Sequence, residues 1–468
     1  MTHRAAGALD RVLVVLLASA VLAACGGGGG AGAAAEGSTT TAVPPPSRAA
    51  PMTTSPVDGG VEPPAAGTAE GPELSPVEAA LEGLELDERI GQLFMTYAYG
   101  SGAEEATDEQ RAANQALYGV DTPGEVVSRH HLGGVLLLDR NPLDPARPEL
   151  STGAVVDPAQ IEALTSGLQG AAIADSGIVL LVAVDQEGGP VNRIGPPATQ
   201  FPAAAVLGRS GDVDLVEAVA RATADELAAM GINQNLAPVA DVNVEPANPV
   251  IGERAYGAEP AQVADAVSAA VRGVGSAGVI ATAKHFPGHG DTLVDSHVGL
   301  PVVDHSRDEW TALDRLPFEA AVDAGVPVVM TAHVAVPALD PSGAPATLSA
   351  PILAELRDGM GFDGVIMTDA LDMAGVAAGR SPGDVAVGAL LAGADLLLMP
   401  ADLGAAAAAV RAAVDDGTID EARLDESVRR ILTVKEGAGA LQETDAGDLS
   451  VVGGDDHQRL LERASDGS

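Results

Sequence analysis

Eight apolar runs of strand length recur along this chain, at 91–98, 133–139, 178–186, 232–239, 279–286, 326–333, 364–369 and 394–400, separated by longer Ala-rich or amphipathic stretches. Their near-continuous Val, Ile and Leu content marks strands covered on both faces, as in a parallel sheet flanked by helices. The stretches 158–175, 213–230, 260–277 and 309–324 carry polar and apolar residues at helical spacing, and 402–435 reads as two more helices. Repeated βα units of this kind either close into a TIM (β/α)8 barrel or open into a doubly wound α/β sheet. The polar residues decide between them: Asp185, Lys284, His285, His333 and Asp369 fall at or just past the C-terminal ends of different runs. An open sheet binds at one switch point, whereas a barrel gathers loops from all its strands, so the expected fold is an α/β TIM barrel over residues 76–436. Aromatic residues make up only 2% of the chain, so its core is aliphatic.

The segments outside the barrel read differently. Arg4 and Arg11 precede an apolar run at 12–24 that is too short for a comfortable membrane span, which predicts a signal peptide over 1–24. Cys25 is the only cysteine, so no intramolecular disulfide can form. With Leu22, Ala23 and Ala24 it resembles a bacterial lipobox, whose cysteine is lipidated and becomes the mature N-terminus. Residues 26–73 begin with five Gly and continue in Ala, Ser, Thr and Pro, a composition that cannot offset ordering entropy. The lipidated Cys and linker at 25–75 would reach on the order of 40 Å as a coil. Residues 437–468 are expected to form a flexible acidic tail. The chain is therefore expected outside the cytoplasm, as a monomer held to the cell membrane by its lipid alone. A formal charge of −41 excludes nucleic acid as a partner, because binding a phosphate backbone relies on Lys and Arg.

The chemistry concentrates after the fifth run. The chain has two lysines, Lys284 and Lys435, and Lys284 opens the segment KHFPGHGDT (284–292), followed by Asp295, Ser296 and His297. A Gly-rich loop with three His has no packing purpose that composition explains. His285, His289, Asp291, Asp295 and His297 could ligate zinc, but their spacing lacks the closed pattern of a structural site, and no metal or organic cofactor is expected. Asp295 and His297 are two residues apart, close enough for the carboxylate to orient the imidazole as an acid/base pair. Asp369 ends the run GFDGVIMTD, where a carboxylate on a rigid wall can act as a nucleophile; capping the next helix is the competing role.

The segments LGGVLLLDRN (132–141), DQEGG (185–189), INQNLAPVADVN (232–243), NPVIGERAYG (248–257), KHFPGHGDT with DSH, GFDGVIMTDALDM (361–373) and RLDESVRRIL (423–432) resemble family 3 of the glycoside hydrolases. Within it they are similar to single-barrel bacterial β-N-acetylhexosaminidases, with the likeness running from about Leu86 to Lys435. The resemblance implies Asp369 as a nucleophile forming a covalent glycosyl-enzyme, and His297, assisted by Asp295, as acid and base. It implies that Asp185, Arg193, Arg254, Lys284 and His285 hold a terminal N-acetylglucosamine, and it assigns Glu187 to the framework. Pro190 and Asn192 depart from the Arg and Gln that the family often carries there. The expected substrates are peptidoglycan fragments, with chitin fragments also open. A β-glucosidase of this family usually takes a Glu acid/base from a further domain, which the residues after Asp369 are too few to supply. Phosphorolysis stays open, since a His acid/base does not repel phosphate as Glu would. A non-catalytic wall-glycan-binding lipoprotein is the alternative of a different class, against which both Asp369 and His297 are present.

Overall fold

The computed structural model describes residues 74–144, 147–437 and 447–466. The signal peptide, Cys25 and all but the last two residues of the linker lie outside the described residues.

Eight parallel strands form one sheet: β1 (Phe94–Thr96), β2 (Gly134–Leu137), β3 (Leu181–Val184), β4 (Gln234–Asn235), β5 (Ile280–Phe286), β6 (Val328–Thr331), β7 (Val365–Met367) and β8 (Leu397–Leu398). Each lies inside one of the eight apolar runs. The strands neighbour one another in chain order, and β8 pairs with β1 through Phe94↔Leu397 and Met95↔Leu398. A parallel bridge between Met367 and Leu396 brings β7 to β8, reinforced by the Thr368 N–H donating to Leu396 O at 2.9 Å. The sheet thereby comes round on itself as a TIM barrel, with helices outside it. Close packing inside is visible at Gly134, where a Cβ would stand 2.4 Å from Met95 Cε.

The helices start where capping chemistry places them. Pro158–Ser176 begins after Asp157, whose carboxylate accepts from the N–H groups of Ala159 and Gln160, and Val213–Ala229 begins after Asp212, which accepts from Leu215. Pro260–Ser276 has its proline in the first turn, where the missing N–H costs nothing. The stretch expected as one helix over 309–324 is two, Arg307–Ala312 and Arg315–Asp323. The break falls at Leu313 and Asp314: the Asp314 carboxylate is buried and bonds His305, nine residues earlier and outside either helix, a contact that outweighs local helical periodicity.

Helices Leu403–Asp415 and Glu421–Gly437 are the two expected over 402–435, and the second reaches the N-terminal base of the barrel, where Lys435 meets Gln92. Buried Asp395, just before β8, accepts from Arg357 at 2.7 Å, Ser427 at 2.7 Å, Arg430 at 3.2 Å and Arg423 at 3.3 Å. The RLDESVRRIL segment thus serves as a polar clamp at the end of the barrel away from the strand C-termini.

The tail departs from expectation. Residues 447–466 contain a helix, Asp455–Asp466, that packs on Val213–Ala229. Buried Glu226 accepts from His457 Nδ1 at 2.8 Å and from the Gly453 N–H at 3.0 Å, while Arg463 reaches Asp212 at 2.9 Å. These polar anchors leave no long apolar run in the sequence, which is why composition alone pointed to flexibility.

Candidate active site

The C-terminal ends of the strands surround a cavity of about 610 Å³ lined by Asp185, Arg193, Arg254, Lys284, His285, Asp295, His297 and Asp369. Every site residue expected from the barrel sequence is therefore at one mouth, supplied by the ends of β3, β5 and β7 and by the loops after β3, β4 and β5.

One wall is built on Glu187. It sits on the short hairpin Gln186–Gly188 with Val191–Asn192, which Asn192 closes by accepting from the Gly188 N–H at 3.0 Å. Buried Lys284 donates to Asp185 at 2.6 Å and lies 2.7 Å from Glu187 Oε1. Arg254 grips both Glu187 oxygens at 2.8 Å, a fork that matches the carboxylate geometry. Burial pushes the Glu187 carboxyl up, but the charges of Lys284 and Arg254 override it and hold the group far below the usual carboxylate range. The same exchange, in reverse, keeps Lys284 above the usual lysine range despite burial. The guanidinium of Arg193, exposed at the rim, has no hydrogen-bond partner among the described residues.

His285 is oriented by a residue that sequence reasoning missed. Its Nδ1 lies 2.7 Å from Oδ2 of buried Asp241, and Arg254 Nη2 faces its Nε2 at 3.4 Å. The ring is thereby held between a carboxylate on its Nδ1 side and a guanidinium on its Nε2 side. Burial raises the Asp241 carboxyl, yet the charge and hydrogen bond of His285 bring it below its ordinary value. Asp241 stands two residues past the run at 232–239, so the strand-end rule that picked out Asp369 would have found it.

Asp369 follows β7, and its Oδ1 accepts only from the adjacent Ala370 N–H at 2.8 Å among the described residues. The next helix begins at Ala374 with Met373 as its cap, so Asp369 does no capping. The turn beneath it is fixed by His333, whose Nε2 donates to Ala370 O at 2.9 Å and whose Nδ1 meets Thr347 Oγ1 at 2.8 Å. Burial raises the Asp369 carboxyl, but His333, His285 and the Ala370 N–H lower it to a net value below the ordinary one, which keeps it ionised.

The loop between β5 and helix Arg307–Ala312 brings Asp295 and His297 to the same cavity as this carboxylate. Asp295 Oδ1 accepts from the His297 N–H at 2.8 Å and pairs with His297 Nδ1 at 2.7 Å, which leaves Nε2 without a hydrogen-bond partner among the described residues. Burial raises the Asp295 carboxyl, while these two bonds from His297 lower it to a net value below the usual range. The other loop histidines have internal partners. Buried His289 meets Thr292 Oγ1 at 2.8 Å and Ser296 Oγ at 3.0 Å, and burial disfavours its charged form. His305 is flanked by Asp291 and Asp314. Among the described residues, no three His, Cys, Asp or Glu side chains are grouped to hold a metal ion.

A second residue missed by sequence reasoning is Asp372. It lines the cavity and accepts from Asn141 Nδ2 at 3.0 Å, while its Oδ1 has no hydrogen-bond partner among the described residues. Burial, with the Asp369 charge adding to it, pushes its carboxyl up to about 6.

A parallel barrel whose mouth gathers ion-paired carboxylates and a His–Asp dyad around one cavity is an enzyme-like site of the α/β class. The chain belongs to glycosyl hydrolase family 3, whose N-terminal domain matches residues 85–434. It is 36% identical over 411 residues to a beta-hexosaminidase A of Pseudoalteromonas piscicida, covering 82% of this chain and 66% of that protein. It is 30% identical to a beta-N-acetylglucosaminidase/beta-glucosidase of Cellulomonas fimi, covering 79% of this chain and 61% of the relative. The chain thus spans somewhat under two thirds of these relatives' length. Among solved structures, a family 3 beta-N-acetylglucosaminidase from Paenibacillus sp. superposes with a TM-score of 0.73 at 39% identity, covering 82% of this chain and 69% of the other. A beta-N-acetylhexosaminidase from Beutenbergia cavernae gives 0.64 at 33% identity, covering 75% of this chain and 99% of the other.

Proposed function

We propose that this chain is a retaining exo-β-N-acetylglucosaminidase that releases terminal β-linked N-acetylglucosamine from peptidoglycan fragments or related glycosides. The observation that carries the reading is the meeting, in one cavity, of an uncapped ionised carboxylate, Asp369, with the Asp295–His297 dyad. Asp369 attacks the anomeric carbon as the glycosidic C–O bond breaks, and imidazolium His297 gives its Nε2 proton to the leaving oxygen. In the second half, His297 takes a proton from water as that water attacks the anomeric carbon and the ester bond to Asp369 breaks. Asp295 fixes the ring throughout. Lys284, Arg254 and Arg193 offer donors to sugar oxygens, Asp185 accepts from hydroxyls, and His285 completes that wall. The names of the relatives support the N-acetylhexosaminide substrate class.

The test is hydrolysis of paired aryl β-glycosides, N-acetylglucosaminide against glucoside, with and without phosphate, following free sugar and sugar phosphate. Preference for the N-acetyl sugar with water as acceptor is expected. Sugar 1-phosphate as the product would make the chain a phosphorylase, and turnover of neither glycoside would leave a binding protein. Asp369→Asn should lower turnover by about 10⁴-fold or more with folding intact.

We infer, from the sequence of residues 1–25, that the enzyme works outside the cytoplasm as a lipoprotein anchored through Cys25. No helix among the described residues is long and apolar enough to cross a membrane. Labelling with a radioactive fatty acid should mark the wild type and fail with Cys25→Ala; equal labelling of both would sink the anchor.

A further inference from the structure

The loop bearing the acid/base dyad leaves the barrel after β5 at Pro287 and returns at His305. Its inner limb is fixed through His289, whose N–H donates to Asp241 at 2.7 Å and whose carbonyl accepts from Asn248 at 2.8 Å. The outer limb is held by different means. His305 Nδ1 lies 2.7 Å from Asp314 Oδ2, and its Nε2 lies 2.7 Å from Asp291 Oδ2.

Both partners are carboxylates, and an ionised carboxylate only accepts. Both ring nitrogens must then carry protons, and the ring is an imidazolium. The bond to Asp314, helped by that to Asp291, holds the His305 pKa up at about 9 against the effect of burial. Asp314 is buried at the break between two helices, directly under the loop's departure point: a Cβ on Gly288, whose φ is +123°, would stand 2.7 Å from Asp314 Oδ1. Asp291 is on the loop itself, four residues before Asp295. His305 therefore ties the outer limb of the loop to the barrel. None of these three residues lines the cavity, so any influence on the reaction is exerted through the loop.

We propose that His305, bridging Asp291 and Asp314, is the positioning residue that sets the Asp295–His297 dyad over Asp369. The proposal rests on reading His297 as the acid/base. A displaced dyad loses its ability to protonate a leaving group, and that loss depends on how much protonation the leaving group needs. A generic structural loss has no such dependence.

The experiment compares kcat/KM for 2,4-dinitrophenyl β-N-acetylglucosaminide, which leaves without help, with that for N,N′-diacetylchitobiose, which needs a proton. His305→Leu and Asp291→Asn are measured beside His297→Ala. Asp291→Asn keeps the His305–Asp314 bond and serves if His305→Leu fails to fold. General acid catalysis is typically worth 10²- to 10⁴-fold, so the His305 variant should lose about 10²-fold on chitobiose and less than about 3-fold on the dinitrophenyl substrate. Equal losses on both substrates, or none on either, in the His305 and Asp291 variants would overturn the positioning role. Absence of the split in His297→Ala would overturn the acid/base reading itself, and the proposal with it.

Discussion

The chain's two lysines are buried at opposite ends of the same barrel, and they differ in what surrounds them. At the mouth, Lys284 lies 2.6 Å from Asp185 and 2.7 Å from Glu187, and these charges raise its proton affinity in spite of burial. At the base, Lys435 has one neutral partner, Gln92 Oε1 at 2.7 Å, and burial pushes it down to about 7. Burial beside a neutral partner weakens a lysine's hold on its proton. The positive charge at the mouth is sustained by the carboxylates around it, so Asp185, Glu187, Lys284 and Arg254 form one electrostatic unit in which no member can be removed alone.

Breaking that unit at its centre should have the largest effect. Glu187→Gln removes the charge that both Lys284 and Arg254 share, leaving Lys284 with Asp185 alone and Arg254 with no directly paired carboxylate. Loss of one member of a buried ionic network typically costs about 3 kcal/mol or more, and chemical denaturation should show a loss of that order. Activity should fall with it, because Arg254 and Lys284 lose their fixed positions. Unchanged stability would mean that Glu187 is dispensable to the wall. Next comes the pair Lys284→Met and Lys435→Met. The first should lower kcat/KM on the order of 10²-fold, as removal of a positioned charge does in a desolvated site. The second should leave kcat/KM unchanged. Equal losses in both variants would break the contrast between the two ends.

Much of this organisation was legible because parallel strands buried on both faces must be continuously apolar, so a polar residue at the end of such a run marks a site. Asp185, Lys284, His285 and Asp369 all announced themselves that way, and the structure puts them at one cavity. What escaped was set by contacts distant in sequence. Asp241 becomes a positioning group only when β4 and β5 lie side by side, and Asp372 joins the cavity because Asn141, 231 residues away, donates to it. The helical periodicity at 309–324 gave no sign that Asp314 would turn inward to His305. Glu187 was visible but undervalued, because its role depends on Arg254, 67 residues on.

The finest test of the comparison uses pH, because the two ends respond in opposite directions. His305, near the mouth and faced by the carboxylates Asp291, Asp314 and Glu309, has a folded pKa of about 9 against 6.5 unperturbed. The stability it contributes is complete below about 6.5 and is lost as pH rises through about 9. Lys435 is the reverse case: its folded pKa of about 7 lies below the ordinary 10.5, so between these values the unfolded chain binds the extra proton and stability rises with pH. Each full unit of difference in bound proton is worth about 1.36 kcal/mol per pH unit, and between pH 7 and 9 the two slopes oppose each other. Lys435→Met should therefore expose a fall in melting temperature from pH 7 to 9, on the order of 5 °C relative to the wild type, with kcat/KM unchanged. His305→Leu should expose the opposite trend over the same interval. A Lys435→Met profile parallel to the wild type would mean that the base lysine keeps its proton, and that burial distinguishes the two ends less than their partners imply.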